Sequence, residues 1–151
     1  MIEVMKPGLY TTIQDQGRYG YQASGIVVSG VMDKRSYELG NIILQQQNAT
    51  AFEFVMNGPT LKFHQPAVIT ITGAAFQPTI DGQPMPMWRP IQVLAGSILA
   101  ISSAKRGMYG YLFVKGLDIP QTLGSTSTYE KAGLGKRLQK GDTFHVIPSS
   151  V

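Results

Sequence analysis

The sequence predicts a mainly β domain built from many short strands and a single helix near residues 33–44. Three observations predict it. Alternating apolar and polar residues recur in runs of four to seven; 17 glycines and nine prolines punctuate those runs; and one segment alone carries apolar or small residues at helical spacing. Such a pattern closes into a β-barrel or stacks as a sandwich.

The elements follow in order. Pro7 to Asn41 reads as surface rather than core filler, with its Gln14-Asp15-Gln16-Gly17-Arg18 turn and its Ser24-Gly25 and Ser29-Gly30 pairs. Asp33 to Leu44 (DKRSYELGNIIL) is the helix, with Tyr37, Gly40, Ile43 and Leu44 on one face. Asp33 is its N-cap, because a carboxylate there accepts from the free backbone N–H groups of the first turn. Gly40 costs about 1 kcal/mol against Ala in a helix interior, so another backbone is expected to pass close by. Ala51 to Asn57 alternates around Phe52, Phe54 and Met56, and Gly58-Pro59 turns the chain into Thr60 to Phe63. Ala67 to Gly73 (AVITITG) is a half-buried strand. Asp81-Gly82 is the clearest hairpin turn, set between Pro78 to Ile80 and Gln83-Pro84. Ile91 to Leu94, Ile98 to Ile101, Tyr109 to Val114 and Thr143 to Ile147 complete the strands, with Ala95-Gly96-Ser97 and Lys140-Gly141-Asp142 as turns.

Composition narrows the function classes. At 151 residues the chain is one ordinary domain, and no internal linker or repeat divides it. Charged residues are 15%, below the roughly 25% of soluble domains, which leaves an uncharged polar surface suited to association with another protein. A net charge of +4 without a long basic stripe argues against nucleic acid. With no cysteine, disulfides, thiolate metal sites and Cys nucleophiles are excluded. His64 and His145 form no metal-ligand pattern, and no metal site is expected. No apolar run reaches the roughly 20 residues of a membrane helix, and Glu3, Lys6, Asp15 and Arg18 leave no room for a signal-peptide core. The expected location is the cytoplasm.

Two blocks carry functional texture. The first is Pro7 to Asn41. The second runs from Gly116 to Asp142, polar, glycine-rich and longer than a simple connection. Ser125, Thr126, Ser127 and Thr128 bring four adjacent hydroxyls, able to donate to an anion or a substrate amide or merely to cap turns. Gly133-Leu134-Gly135-Lys136-Arg137 is not an ATP-binding P-loop, since Glu130 and Arg137 stand where that motif needs Gly and Ser or Thr. Its amides, beside Lys136 and Arg137, suit a carboxylate or phosphate.

These blocks resemble one family, that of KipA, the C-type subunit of 5-oxoprolinase, and allophanate hydrolase subunit 2, whose members carry a carboxyltransferase-type domain of subdomains A and B. The resemblance rests on Pro7-Gly8-Leu9 through Gln14-Asp15-Gln16-Gly17-Arg18 and on Ser29-Gly30-Val31-Met32-Asp33. It also rests on Glu53 with Gly58-Pro59, on Thr72-Gly73-Ala74, on Lys115 to Pro120, on Gly124 to Tyr129, and on Lys136 to Asp142. Thr126 stands where the family has Arg, and Lys115 and Lys136 replace glycines. An Arg would offer bidentate carboxylate binding that Thr126 does not.

The resemblance implies a cyclophilin-like β-barrel, with residues 1–151 matching the first half of the family's usual chain. It implies one component of a cytoplasmic ATP-dependent 5-oxoprolinase, opening the lactam of 5-oxoproline to glutamate. Its partners there are a KipI-like B-type subunit, with an A-type subunit beside it. A small amide or lactam is the substrate, no cofactor is bound by this chain alone, and ATP belongs to the complex. Asp15 and Asp33 are then the candidate orienting or basic residues. Arg18, Ser29, Gly30, Ser125, Ser127, Thr128 and Arg137 are the candidate donors to substrate or anion. Two alternatives stay open: a non-catalytic KipA-type regulatory protein that counters a KipI-like kinase inhibitor, and a urea-type carboxyltransferase domain.

Overall fold

The computed structural model describes residues 1–14, 33–47, 49–102, 109–118 and 138–147. Its strands, in chain order, are β1 (Ile2–Lys6), β2 (Tyr10–Gln14), β3 (Ala51–Val55), β4 (Thr60–Phe63), β5 (Ala67–Gly73), β6 (Gln77–Ile80), β7 (Gln83–Pro84), β8 (Ile91–Val93), β9 (Ile98–Ser102), β10 (Tyr109–Val114), β11 (Leu117–Asp118) and β12 (Thr143–Val146), with the helix α1 (Lys34–Ile43) between β2 and β3.

Among the described residues the mainly β expectation with one helix holds. The described strands form two antiparallel sheets, one in the order β11-β12-β1-β4-β9-β6-β7 and one in the order β2-β3-β10-β5-β8. The apolar half of each alternating strand faces a single core between them: Ile2, Val4, Leu61, Phe63 and Leu99 from the larger sheet meet Phe52, Phe54, Ile69, Ile71 and Leu112 from the smaller. All ten are fully buried, each contributing about 1.5–3 kcal/mol by leaving water. Edge-to-face ring pairs, Phe54 with Phe76 and Phe52 with Phe144, stitch the aromatic part of that core.

Several elements fall where the sequence predicts them. The hairpin turn is Asp81-Gly82, with φ of 50° and 81°; positive φ at both central residues is what the right-handed twist of the flanking strands asks for. Helix α1 starts at the Asp33 cap, whose side chain accepts from Ser36 N–H. It lies on the outer face of the five-stranded sheet, where Tyr37, Leu44, Ala51, Tyr111 and Phe113 make a second, smaller core. Gly40 does mark a close approach, but the neighbour is the ring of Phe113 rather than a backbone.

Three strands differ from the sequence reading; one, β11, lies inside the Gly116 to Asp142 block read as a long connection and pairs with β12. β1 and β2 lie in a stretch without a strand assignment, and Thr11, Thr12 and Gln14, read as surface, are buried. β2 pairs along its whole length with β3, from Tyr10 opposite Val55 to Gln14 opposite Ala51. Thr11 is opposite core-facing Phe54 and donates its hydroxyl to the Pro7 carbonyl, while Thr12 and Gln14 lie on the other face in line with Glu53 and Ala51, a burial of polar side chains that hydrophobic alternation cannot register.

Candidate functional site

The outer face of the five-stranded sheet carries a polar row. Strand register sets Thr12 opposite Glu53, Glu53 opposite Tyr111, and Tyr111 opposite Thr72. All four are buried, the Tyr111 side chain completely. Burying polar groups costs free energy unless each finds a partner, and here the partners sit under the N-terminus of α1.

The Tyr111 hydroxyl donates to Glu53 Oε2 at 2.5 Å and accepts from the backbone N–H of Asp33 at 2.7 Å. Its single proton is thereby committed to the carboxylate and a lone pair to the helix cap. Asp33 Oδ1 accepts from Ser36 N–H at 3.1 Å and Oδ2 from Ser36 Oγ–H at 2.6 Å. Thr72 Oγ1 donates to the carbonyl of Ser36 at 2.9 Å. A continuous chain of hydrogen bonds thus runs from Glu53 through Tyr111, Asp33 and Ser36 to Thr72. Burial, reinforced by the hydrogen bond to Glu53 and its charge, pushes the Tyr111 hydroxyl far above the ordinary tyrosine range; it is a neutral donor at any physiological pH.

At the edge of the same face, Gln14 Nε2–H donates to Thr12 Oγ1 at 2.9 Å. The Gln14 Oε1 atom is a buried acceptor that no donor among the described residues reaches. The far end of α1 is held by Asn41, whose Nδ2–H donates to Tyr37 O and whose Oδ1 accepts from Ala49 N–H, and by Tyr37 Oη–H, which donates to Ala49 O.

Asp33 is thus placed at the helix cap, at the end of the Ser29 to Asp33 motif and against the Glu53–Tyr111 pair. Asp15, Arg18, Ser29, Gly30, Ser125, Ser127, Thr128 and Arg137 lie outside the described residues, as does the Gly133 to Arg137 turn. Sequence reasoning marks Glu53 only as part of the family pattern and misses Tyr111. A Glu between two Phe residues in an otherwise apolar strand is the available signal, because a carboxylate at that position has to be matched across the sheet. His145 is exposed on β12, and His64 Nε2 lies 3.0 Å from Glu3 Oε1 at the surface. Among the described residues no cluster of acidic, His or Cys side chains is arranged to hold a metal ion, and no helix is long and apolar enough to cross a membrane.

Both the sequence and this fold recur in known proteins. The urea amidolyase of Saccharomyces cerevisiae is 41% identical over 156 residues, covering 99% of this chain and 8% of that protein. The C-type subunit of the Haemophilus influenzae 5-oxoprolinase is 38% identical over 162 residues, covering all of this chain and 52% of that protein. The crystal structure of the K. lactis urea amidolyase superposes with a TM-score of 0.92 at 34% identity, over 96% of this chain and 9% of that one. The chain therefore spans about half of the H. influenzae protein and under a tenth of these two amidolyases. The sequence pattern of one family, described as carboxyltransferase domain, subdomain A and B, matches residues 24–150, and the chain belongs to that carboxyltransferase-domain family.

Proposed function

We propose that this chain is one component of a cytoplasmic ATP-dependent 5-oxoprolinase-type amidohydrolase, acting with a KipI-like B-type subunit, and with an A-type subunit as third member. The observation that carries the reading is the 38% identity to the C-type subunit of a 5-oxoprolinase along the whole of this chain. Lactam opening builds negative charge on the amide oxygen, and donors fixed before reaction stabilise it. Ser29, Gly30, Ser125, Ser127 and Thr128 are the proposed donors, with Arg18 and Arg137 on the substrate carboxylate. Asp15 is the proposed base. Asp33, both of whose oxygens are engaged by Ser36, is the orienting acid that ends the Ser29-Gly30 motif in a fixed position. ATP is used by the assembled complex rather than held by this chain alone.

A urea-type carboxyltransferase role is the second reading, favoured by the 41% identity to the yeast urea amidolyase. Co-purification with the two partner proteins, followed by substrate competition, separates them. A stable complex whose ATP hydrolysis rises with 5-oxoproline and not with urea supports the first reading. Urea-dependent, biotin-dependent carboxylation supports the second, and a chain that binds neither partner protein contradicts the first.

A further inference from the structure

The outer face of the seven-stranded sheet holds a recess of about 250 Å³, on the opposite side of the core from the Glu53–Tyr111 chain. Its floor is one row across four strands. Register sets Lys6 opposite Thr60, Thr60 opposite Ala100, and Ala100 opposite Thr79. Ala100, with only a methyl group, makes the depression; Thr60 and Thr79 flank it.

Lys6 faces this row because of a β-bulge. Ile2 and Val4 point into the core, and strict alternation would send Lys6 after them. The register between β1 and β4 shifts between Val4 and Lys6, so that Leu61 pairs with Val4 but the adjacent Thr60 pairs with Lys6. The extra residue turns the ammonium group to the outer face, the re-aiming that bulges bring about. A second device shapes the rim. The loop after Lys6 crosses the loop before β4: Leu9 N–H donates to Asn57 Oδ1 at 2.7 Å, and Gly8, at φ +77°, lies so close that a Cβ would stand 3.0 Å from Gly58 O. The Pro7-Gly8-Leu9 and Asn57-Gly58-Pro59 motifs, which no part of the proposed reaction uses, therefore meet at this recess.

We infer that the recess is a binding site for a small monocarboxylate, with Lys6 as its counter-ion. None of the lining residues is acidic, and Lys6 has no ion-pair partner among the described residues. Neutral donors complete the set: the hydroxyls of Thr60 and Thr79, the amide of Gln77, and the Asn57 amide hydrogens left over when its Oδ1 accepts from Leu9. Ser102 Oγ–H donates to Gln77 O at 2.8 Å and ties β9 to β6 at the edge. One cation with several neutral donors matches a single negative charge; a phosphate dianion calls for more cations or a nest of backbone N–H groups. The volume suits a metabolite smaller than the usual drug-sized ligand.

The test is titration of the whole chain, by NMR amide shifts, with acetate, lactate and 5-oxoproline and separately with inorganic phosphate, at constant ionic strength. Saturable shifts centred on Thr60, Thr79 and Ala100 are expected with at least one monocarboxylate. Lys6→Met should weaken that binding about tenfold or more, the loss of one charge-assisted hydrogen bond. Lys62→Met, on the same face but outside the recess, should leave it unchanged. Ala100→Leu, which fills the floor and keeps the charge, should abolish it, and this variant decides the matter if Lys6→Met does not fold. Absence of saturable shifts with all three carboxylates, equal binding by Lys6→Met, or preference for phosphate would overturn the assignment.

Discussion

Tyr111 sits where its strand would ordinarily bury a Phe, as it does at Phe113 two residues on. Its hydroxyl joins the sheet to the helix cap. Tyr111→Phe keeps the ring and removes the hydrogen bonds that its hydroxyl makes with Glu53 Oε2 and the Asp33 N–H, which should cost about 1–3 kcal/mol, read as a lower denaturation midpoint at pH 7. The same residue sets an alkaline limit. Its folded pKa is raised by burial and by Glu53, so native and unfolded chains are both protonated below the unfolded value of about 10. Above it the unfolded state loses the proton first, and stability falls as pH rises toward the folded pKa. Unfolding curves from pH 8 to pH 11 should show this limb in the wild type and a shallower one in Tyr111→Phe. Asp33 admits a separate distinction. Ala at position 33 removes the cap and should cost about 1 kcal/mol, while Asn caps as well as Asp. If Asp33 orients rather than exchanges protons, Asp33→Asn restores both stability and turnover of the complex; a folded Asp33→Asn protein with no turnover would make it an acid–base group.

At the scale of elements, α1 shows a packing demand overriding propensity. Gly→Ala in a helix interior ordinarily stabilises by up to about 1 kcal/mol. At Gly40 the new methyl group would enter the Phe113 ring, so Gly40→Ala should destabilise, with a lower melting midpoint than the wild type; an unchanged or higher midpoint would mean the ring moves aside freely. The strands teach which signals a sequence carries. Thr60–Phe63, Ala67–Gly73 and Tyr109–Val114 are legible to the residue because their core-facing side chains alternate with others and glycine or proline bounds them. β1 escapes the pattern because only Ile2 and Val4 mark it before the bulge at Lys6 breaks the alternation. β2 escapes it because Thr12 and Gln14 are buried by a polar neighbour, Glu53 and its row, rather than by apolar ones. The Glu53–Tyr111–Asp33 chain has the same origin: it is set by register between strands more than 50 residues apart, information that local pattern does not hold.

For the molecule as a whole, two antiparallel sheets enclose one core and leave two chemically distinct outer faces. One is covered by α1 and carries the polar row against which Asp33 sits; the other carries Lys6 beside its recess. Sequence motifs alone are enough to mark the family, because several short runs stand in order along the chain, and the match over residues 24–150 agrees. That this chain is a working part of a 5-oxoprolinase is tested most directly by 5-oxoproline-dependent ATP hydrolysis in the reconstituted complex, with and without this chain. Turnover that appears only when the chain is added is the predicted result; turnover unchanged by its omission, or absent with every component present, would contradict it.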